Sequence, residues 1–257
     1  MSKTAIAIAC HPDDIEFMMA GTLIRLKKAG YEIHYMNIAN GSLGSAVMDR
    51  DETVATRRQE AVNAAKLIGA VYHESLCDDL EVFYNSATLS KVVETVREVN
   101  PEILLTHGPY DYMEDHVNAG RLATSAAFCR GMQNFKCSKE FPVRMDDVAV
   151  YHSMPHSLTD SLRNPVYPEL YIDITDTIET KKAMLSCHKS QKDWLDVSQG
   201  NNAYLEELTF RGKYYGKLSG KFEYAEGWLR HSHLGYCAED FNPLKDALDG
   251  LMVPRKG

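Results

Sequence analysis

Residues 11–14 (HPDD) place an imidazole beside two adjacent carboxylates near the start of the chain. Pro12 biases the residue before it toward extended backbone, so the preceding strand is expected to end here. One aspartate would be enough to cap a following helix, and a capped turn explains the segment without any chemistry. Two neighbouring carboxylates repel each other, however, and a cation would relieve that repulsion. Zn²⁺ binds histidine nitrogen and carboxylate oxygen and keeps one position open in catalytic sites, so the segment is a candidate metal site.

A third ligand should come from another loop, and His116 is the best candidate. It ends the run at residues 110–116 (YDYMEDH), directly before a helical pattern. A histidine at a helix start is, by itself, more often a plain surface residue. Its occurrence in a chain that also contains HPDD favours the ligand interpretation.

Apolar runs of strand length alternate with helical patterns along the chain. Strands are predicted at residues 4–10, 32–39, 71–76, 102–107, 147–153 and 170–174. Helices are predicted at residues 15–29, 54–68, 89–99, 117–132 and 177–188, the last beginning with an Asp176 cap. This alternation indicates βαβ units and a parallel sheet. We therefore expect one α/β domain over residues 1–257, a Rossmann-like three-layer sandwich with a mostly parallel sheet, on which the less regular residues 189–257 pack.

Ligands of open α/β sheets bind outside the carboxyl ends of the strands. Three predicted strands deliver reactive side chains to that edge: residues 11–14 after the first, 40–57 after the second and 107–116 after the fourth. Imidazoles and carboxylates from three loops are thus expected to meet. The first turn lacks the sequence G-x-G-x-x-G, so a dinucleotide is not indicated.

Charge and composition limit the expected partners. The 257 residues carry a net charge of −8, which gives no electrostatic reason to expect nucleic acid or an anionic membrane. The sequence has no apolar stretch of about 18 residues, so no membrane insertion is expected. Six scattered cysteines without a CxxC pair favour free thiols and a cytoplasmic location. The oligomeric state stays open, with a homo-oligomer as one alternative.

Five motifs follow one another along the chain. They are HPDD with Glu16, the NGS loop at residues 40–42, an R-x-x-E helix at residues 57–60, a D-I-T, Lys and H-K-S-Q pattern at residues 173–191, and a Y-A-E segment at residues 224–226. Over residues 5 to about 230 this order resembles the LmbE/PIG-L family of zinc-dependent N-acetylglucosaminyl deacetylase-like proteins.

The resemblance implies that His11, Asp14 and His116 hold Zn²⁺, with another divalent metal as an alternative. It implies that metal-bound water attacks an N-acyl amide, most simply the N-acetyl group of an amino sugar or related small conjugate. Asp13 would act as general base and could return the proton to the leaving amine. The residues implied to bind the substrate are Arg57, Asn40 and Ser42.

One position departs from the family pattern. The family usually has His-Pro-Asp-His where this chain reads MEDH at residues 113–116, and the missing first histidine normally steadies the oxyanion. The Met113 thioether cannot donate a hydrogen bond, so another donor is needed. The candidates are His188, His231, His233 and Tyr112. We favour His188, which lies in a matching segment. The histidines that we expect to be surface residues or satisfied in the core are His34, His73, His152 and His156.

Two other functions fit the same residues. Two histidines and one carboxylate also form the facial triad of non-haem Fe(II) oxygenases, although the doubled aspartate argues against that class. A metal- or sugar-binding protein with weakened catalysis is the other alternative, for which Met113 is the motivating feature.

Overall fold

Eight β-strands form one sheet in the computed structural model, which describes residues 3–192 and 204–255. The strands are β1 (Thr4–Ala9), β2 (Glu32–Asn37), β3 (Val71–His73), β4 (Ile103–His107), β5 (Ala149–Ser153), β6 (Leu170–Asp173), β7 (Ala225–Arg230) and β8 (Met252–Pro254). The helices described are α1 (Asp14–Met18), α2 (Ala20–Lys28), α3 (Arg50–Leu67), α4 (Ser86–Val99), α5 (Glu114–Cys129), α6 (Ile178–Leu185), α7 (Tyr204–Ser219) and α8 (Pro243–Ala247).

The strand order is β3-β2-β1-β4-β5-β7-β6-β8. The first five strands are parallel, β7 runs antiparallel to both β5 and β6, and β8 is antiparallel to β6. The connection order reverses at β1, which has β2 on one side and β4 on the other. Such a switch point leaves a crevice at the carboxyl ends of the two central strands. The predicted Rossmann-like fold with a mostly parallel sheet is therefore confirmed.

Strand β1 is buried on both faces, which explains its continuous apolar run. Its alanines Ala5, Ala7 and Ala9 face the layer formed by α2, α3 and α6. Its isoleucines Ile6 and Ile8 face the layer formed by α4 and α5. The sheet thus lies between two helical layers, as the alternating pattern predicts.

The predicted helix at residues 15–29 is broken at Met19, where φ is −132° and ψ is −21°. The cause is Glu226 of β7, whose carboxylate accepts hydrogen bonds from the backbone N–H groups of Gly21 and Thr22, both at 2.8 Å. A carboxylate at a helix start satisfies N–H groups that have no partner within the helix. A side chain at Gly21 would place its Cβ 2.5 Å from Ile174, so glycine is required for this close approach.

One further expectation is corrected. Helix α6 begins at Ile178 without a side-chain cap, so the predicted Asp176 cap is wrong. The carboxylate of Asp176 forms ion pairs with Arg25 and Lys28 of α2 instead. The irregular C-terminal part supplies α7 and also β7, which is inserted between β5 and β6.

All six cysteines are free thiols, as their spacing predicts. Within the described ranges no helix is long and apolar enough to cross a bilayer.

A buried ion pair joins Lys181 of α6 to Glu226, with Nζ 2.6 Å from Oε1 and both side chains 3% exposed. We expect Glu226→Gln to lower the free energy of unfolding by about 3 kcal/mol, because it leaves a buried ammonium without its counter-charge. Denaturant unfolding measures the change. The matched control is Glu179→Gln, which breaks the exposed pair with Lys182 and should cost less than about 1 kcal/mol. Equal losses in the two variants would contradict this account.

Candidate metal centre

Three side chains converge at the switch point. His11 follows β1, Asp14 is the first residue of α1, and His116 lies in the first turn of α5. His11 Nδ1 lies 3.3 Å from His116 Nε2 and 3.5 Å from Asp14 Oδ2, and His116 Nε2 lies 3.4 Å from the same oxygen. The three atoms form a nearly equilateral triangle.

The size of this triangle can be compared with zinc coordination. Ligands bound at about 2.0–2.1 Å in a tetrahedron are separated from one another by about 3.3–3.4 Å. The three atoms could therefore occupy one face of a tetrahedron, with the fourth position facing the cavity. Among the described residues, two other groups that could hold an ion share these side chains, one with Cys10 and one with His107.

His107 is fully buried and is already engaged. Its Nε2 accepts a hydrogen bond from the backbone N–H of Cys10 at 2.9 Å, which occupies the lone pair that a metal would need. Its ring stacks on that of His116, with centroids 4.2 Å apart. Cys10 is fully buried as well, and burial raises the pKa of its thiol to about 12. Both residues are therefore poorer ligands than His11 and His116.

A second carboxylate stands behind each of these two histidines. Asp115 Oδ2 lies 3.3 Å from His11 Nε2 and also accepts a hydrogen bond from the backbone N–H of Leu80. Asp111 Oδ2 lies 3.2 Å from His116 Nδ1. Hydrogen bonds of this kind place the ring proton on the nitrogen that faces the carboxylate. The other nitrogen, which faces the metal site, then keeps a free lone pair. Three acceptor atoms then face one another, an arrangement that attracts a cation.

The pKa values of His116 and Asp14 also indicate a site that favours positive charge. Burial opposes a charged imidazole there, but Asp14 and Asp111 together raise the pKa of His116 above its usual value. Burial likewise opposes a charged Asp14, yet His116 and His107 hold its pKa well below the usual range. The centre thus favours a negative Asp14 beside positive charge, whether that charge is a proton or a metal ion.

Asp13 lies in the cavity wall beside these residues. Its backbone has φ 115°, a left-handed conformation that costs a non-glycine residue about 1–3 kcal/mol. Its Oδ2 accepts a hydrogen bond from Tyr204 Oη at 2.7 Å, and its Oδ1 lies 3.9 Å from Arg57 Nη2. Burial raises the pKa of Asp13 to about 6, although Arg57 opposes the rise. A carboxyl group with such a pKa can accept and return a proton near neutrality.

Arg57 holds the HPDD turn in place. Its Nη2 donates to the carbonyl of Pro12 at 2.6 Å and its Nη1 donates to the carbonyl of Gly41 at 3.3 Å. Gly41 has φ 81°, and a Cβ there would lie 2.6 Å from the Arg57 side chain. The guanidinium therefore joins the loops after β1 and β2, and it also lines the cavity.

The part of the chain that forms this centre matches a known family model. The PIG-L model, described as GlcNAc-PI de-N-acetylase, matches residues 6–127, the range that contains the whole triangle and both carboxylates behind it. Over this range the chain is similar to the PIG-L (LmbE-like) family. The resemblance seen in the ordered sequence motifs is thereby confirmed.

The similar proteins include both deacetylases and a hydratase. The diacetylchitobiose deacetylase of Thermococcus kodakarensis is 29% identical over 232 residues, which cover 88% of this chain and 82% of the relative. The 4-oxalmesaconate hydratase of Pseudomonas putida is 25% identical over 200 residues, 74% of each chain. The solved structure of N,N'-diacetylchitobiose deacetylase from Pyrococcus horikoshii has a TM-score of 0.77 at 24% identity, covering 95% of this chain and 89% of that one. This last likeness shows a shared fold.

Asn40 and Ser42, which the sequence predicts to bind the substrate, form hydrogen bonds within the neighbouring loops. Asn40 Nδ2 donates to Asp78 at 2.7 Å, and its Oδ1 accepts from the backbone N–H of Ser42 at 3.0 Å. Ser42 Oγ accepts from the backbone N–H of Asp79 at 3.1 Å. These polar groups bind the loop after β2 to the loop after β3. Both side chains thus connect these two loops at the edge of the cavity, and their contact with the substrate stays a prediction.

His188 does not face the cavity as the proposed oxyanion donor should. It is fully buried, and its Nε2 lies 3.0 Å from Oε1 of Glu16, a carboxylate that also accepts a hydrogen bond from Tyr35. This contact gives no support to the preference for His188, which stays a prediction. The H-x-S-Q segment instead contributes Gln191 to the described cavity wall.

The four histidines expected to be surface residues or satisfied in the core divide into two groups. His34 and His73 share a hydrogen bond of 2.8 Å, and His152 bonds to the carbonyl of His107 at 2.7 Å, so these three are satisfied as expected. His156 lines the cavity and has no hydrogen bond to any described residue, so the expectation for His156 is wrong.

Proposed function

We propose that this protein is a zinc-dependent N-deacetylase that removes the N-acetyl group of a small amino-sugar conjugate in the cytoplasm. The observation that carries the proposal is the triangle of His11, Asp14 and His116 with Asp13 at its side. It is supported by the match to a family model described as a de-N-acetylase and by a relative named as a deacetylase. The cavity of about 390 Å³ is in the size range of pockets for small ligands.

The residues fit a zinc ion, because two imidazoles and one carboxylate match a known catalytic donor set with one open position. When bound, zinc would lower the pKa of a water molecule to near neutrality and polarise the amide carbonyl. Asp13 accepts the proton of the attacking water and then gives it to the nitrogen of the leaving amine. Tyr204 and Arg57 hold Asp13 in position for both transfers.

A metal analysis combined with an amine-release screen tests this proposal. We expect the purified protein to contain about one zinc per chain and to release amine and acetate from some N-acetylated sugars or conjugates. N,N'-Diacetylchitobiose is the first compound to assay, because the deacetylase relative is named for it. Bound zinc without release of any amine would contradict the proposal.

Hydration of a carbon–carbon double bond in an unsaturated carboxylic acid is the second candidate function. The relative named as a hydratase favours it, and an activated water with a nearby base suits addition to a double bond as well as amide hydrolysis. We expect the conjugated acid to keep its ultraviolet absorbance in the presence of this protein while amine appears from the N-acetylated substrates. Loss of that absorbance without amine release would favour the hydratase.

A further inference from the structure

The cavity contains a histidine that the proposed mechanism has not used. His156 lies three residues beyond the end of β5, the strand next to β4 in the parallel part of the sheet. It therefore stands at the same carboxyl edge as the metal centre. Its side chain lines the cavity together with Asp14, His116 and Met113.

The backbone on either side of His156 is well anchored. Pro155 is buried, and its carbonyl accepts hydrogen bonds from Arg211 Nη2 at 2.6 Å and from the backbone N–H of Leu158 at 3.0 Å. The His156 ring meets Phe17 edge to face, with centroids 5.1 Å apart and planes at 82°. Packing thus fixes the ring without using its nitrogens, neither of which has a hydrogen-bond partner among the described residues.

His156 is a neutral imidazole at neutral pH. Burial, together with the positive charge of Arg211, lowers the pKa of His156 to about 4. A neutral imidazole carries one N–H donor and one lone pair. Because no described residue forms a hydrogen bond with the ring nitrogens, the donor is available to a molecule in the cavity.

The proposed reaction needs such a donor. When water attacks the amide carbon, a C–O bond forms, the π electron pair moves to the carbonyl oxygen, and the water proton passes to Asp13. The return of that pair then breaks the C–N bond, and the amine nitrogen takes the proton from Asp13. A fixed donor aimed at the transient oxygen charge accelerates this step, and Met113 has none to offer.

We propose that His156 donates its N–H to the negatively charged oxygen formed during amide attack, and so replaces the donor that is absent at Met113. This inference rests on the proposed deacetylase function. Tyr112 is the nearest rival, since it also lines the cavity. Tyr112 is 45% exposed, so it is more open to solvent than the partly buried His156. A donor held in place before the reaction stabilises the charge better than a mobile one.

Four variants of the zinc-loaded protein test the proposal. We expect His156→Ala and His156→Phe to lower kcat by about 10²–10³ with little change in KM or zinc content. The phenylalanine keeps a ring against Phe17 but has no donor. His156→Gln keeps an amide N–H and should exceed His156→Phe by about tenfold or more. Tyr112→Phe is the matched control and should keep most of the activity.

A gain-of-function variant completes the test. Adding Met113→His to His156→Ala should restore kcat by about tenfold or more, because it returns a donor to the position where the family pattern has a histidine. The inference is overturned if His156→Phe and His156→Gln have equal kcat, or if Tyr112→Phe suffers the large loss instead. In both of these cases the unaltered protein still releases amine, so the deacetylase function stands. If the unaltered protein releases no amine, the proposed deacetylase function itself is overturned.

Discussion

Replacing Asp13 with asparagine is expected to lower kcat by about 10²–10⁴ while leaving zinc content unchanged. An amide cannot take the proton of the attacking water, yet it can still accept the hydrogen bond from Tyr204 that holds the native carboxylate. The turn should therefore keep its shape. Steady-state amine release and metal analysis of the same preparation measure the two quantities.

The matched control for Asp13→Asn is Glu207→Gln, which removes another carboxylate from the same cavity wall. Glu207 lies on α7, where its carboxylate is 3.6 Å from Arg211, and no role in proton transfer is proposed for it. We expect its removal to change kcat by less than about threefold, since the Glu207 carboxylate is 39% exposed and Arg211 keeps its hydrogen bond to Pro155. Retention of normal kcat by Asp13→Asn would remove Asp13 from the mechanism.

Replacing His116 with alanine is expected to abolish zinc binding at stoichiometric concentrations, and activity with it. Two ligands would remain, fewer than the three protein ligands of catalytic zinc sites. X-ray absorption at the zinc edge of the unaltered protein should show only nitrogen and oxygen donors at about 2.0–2.1 Å. A sulfur donor at about 2.3 Å would place the ion on Cys10 and contradict the assignment.

The control for His116→Ala is His233→Ala, which removes a histidine that does not line the cavity. A graded test comes from Asp111→Asn, because Asp111 orients the ring of His116 through Nδ1. Weakening such an outer partner should reduce zinc affinity by about 10–100-fold without abolishing binding. Unchanged affinity in Asp111→Asn would show that the ring is held by packing alone.

The parts of the site that follow a strand end could be predicted from the sequence. HPDD directly follows the buried run of β1, and His116 lies shortly after β4, the neighbouring strand. Parallel strands bring their carboxyl ends to one edge, so sequence order alone places these side chains together. The same reasoning predicts the three layers, since helices of similar length separate the strands.

The parts that depend on packing between distant segments could not be predicted. His156 faces the cavity because its ring packs on Phe17 and its neighbour Pro155 is held by Arg211, contacts that leave no periodic pattern in the sequence. His188 lies in a matching motif, yet its side chain turns to the buried Glu16. A motif thus identifies a segment but not the direction of each side chain.

The break at Met19 has a similar origin. The residues on both sides of it follow one helical pattern, and the carboxylate that interrupts them comes from Glu226, about two hundred positions away in the chain. Strand β7 was likewise not predictable from the irregular composition beyond residue 189. It is stabilised by pairing with β5 and β6, two strands that lie much earlier in the chain.

Titration of metal-stripped protein with Zn²⁺, with amine release from an N-acetylated sugar recorded at each addition, tests the central claim most directly. The triangle of His11, Asp14 and His116 predicts that activity rises in proportion to added zinc and reaches a plateau at about one ion per chain. Amine release that is already complete in the metal-stripped protein, or that does not respond to zinc at all, would contradict it.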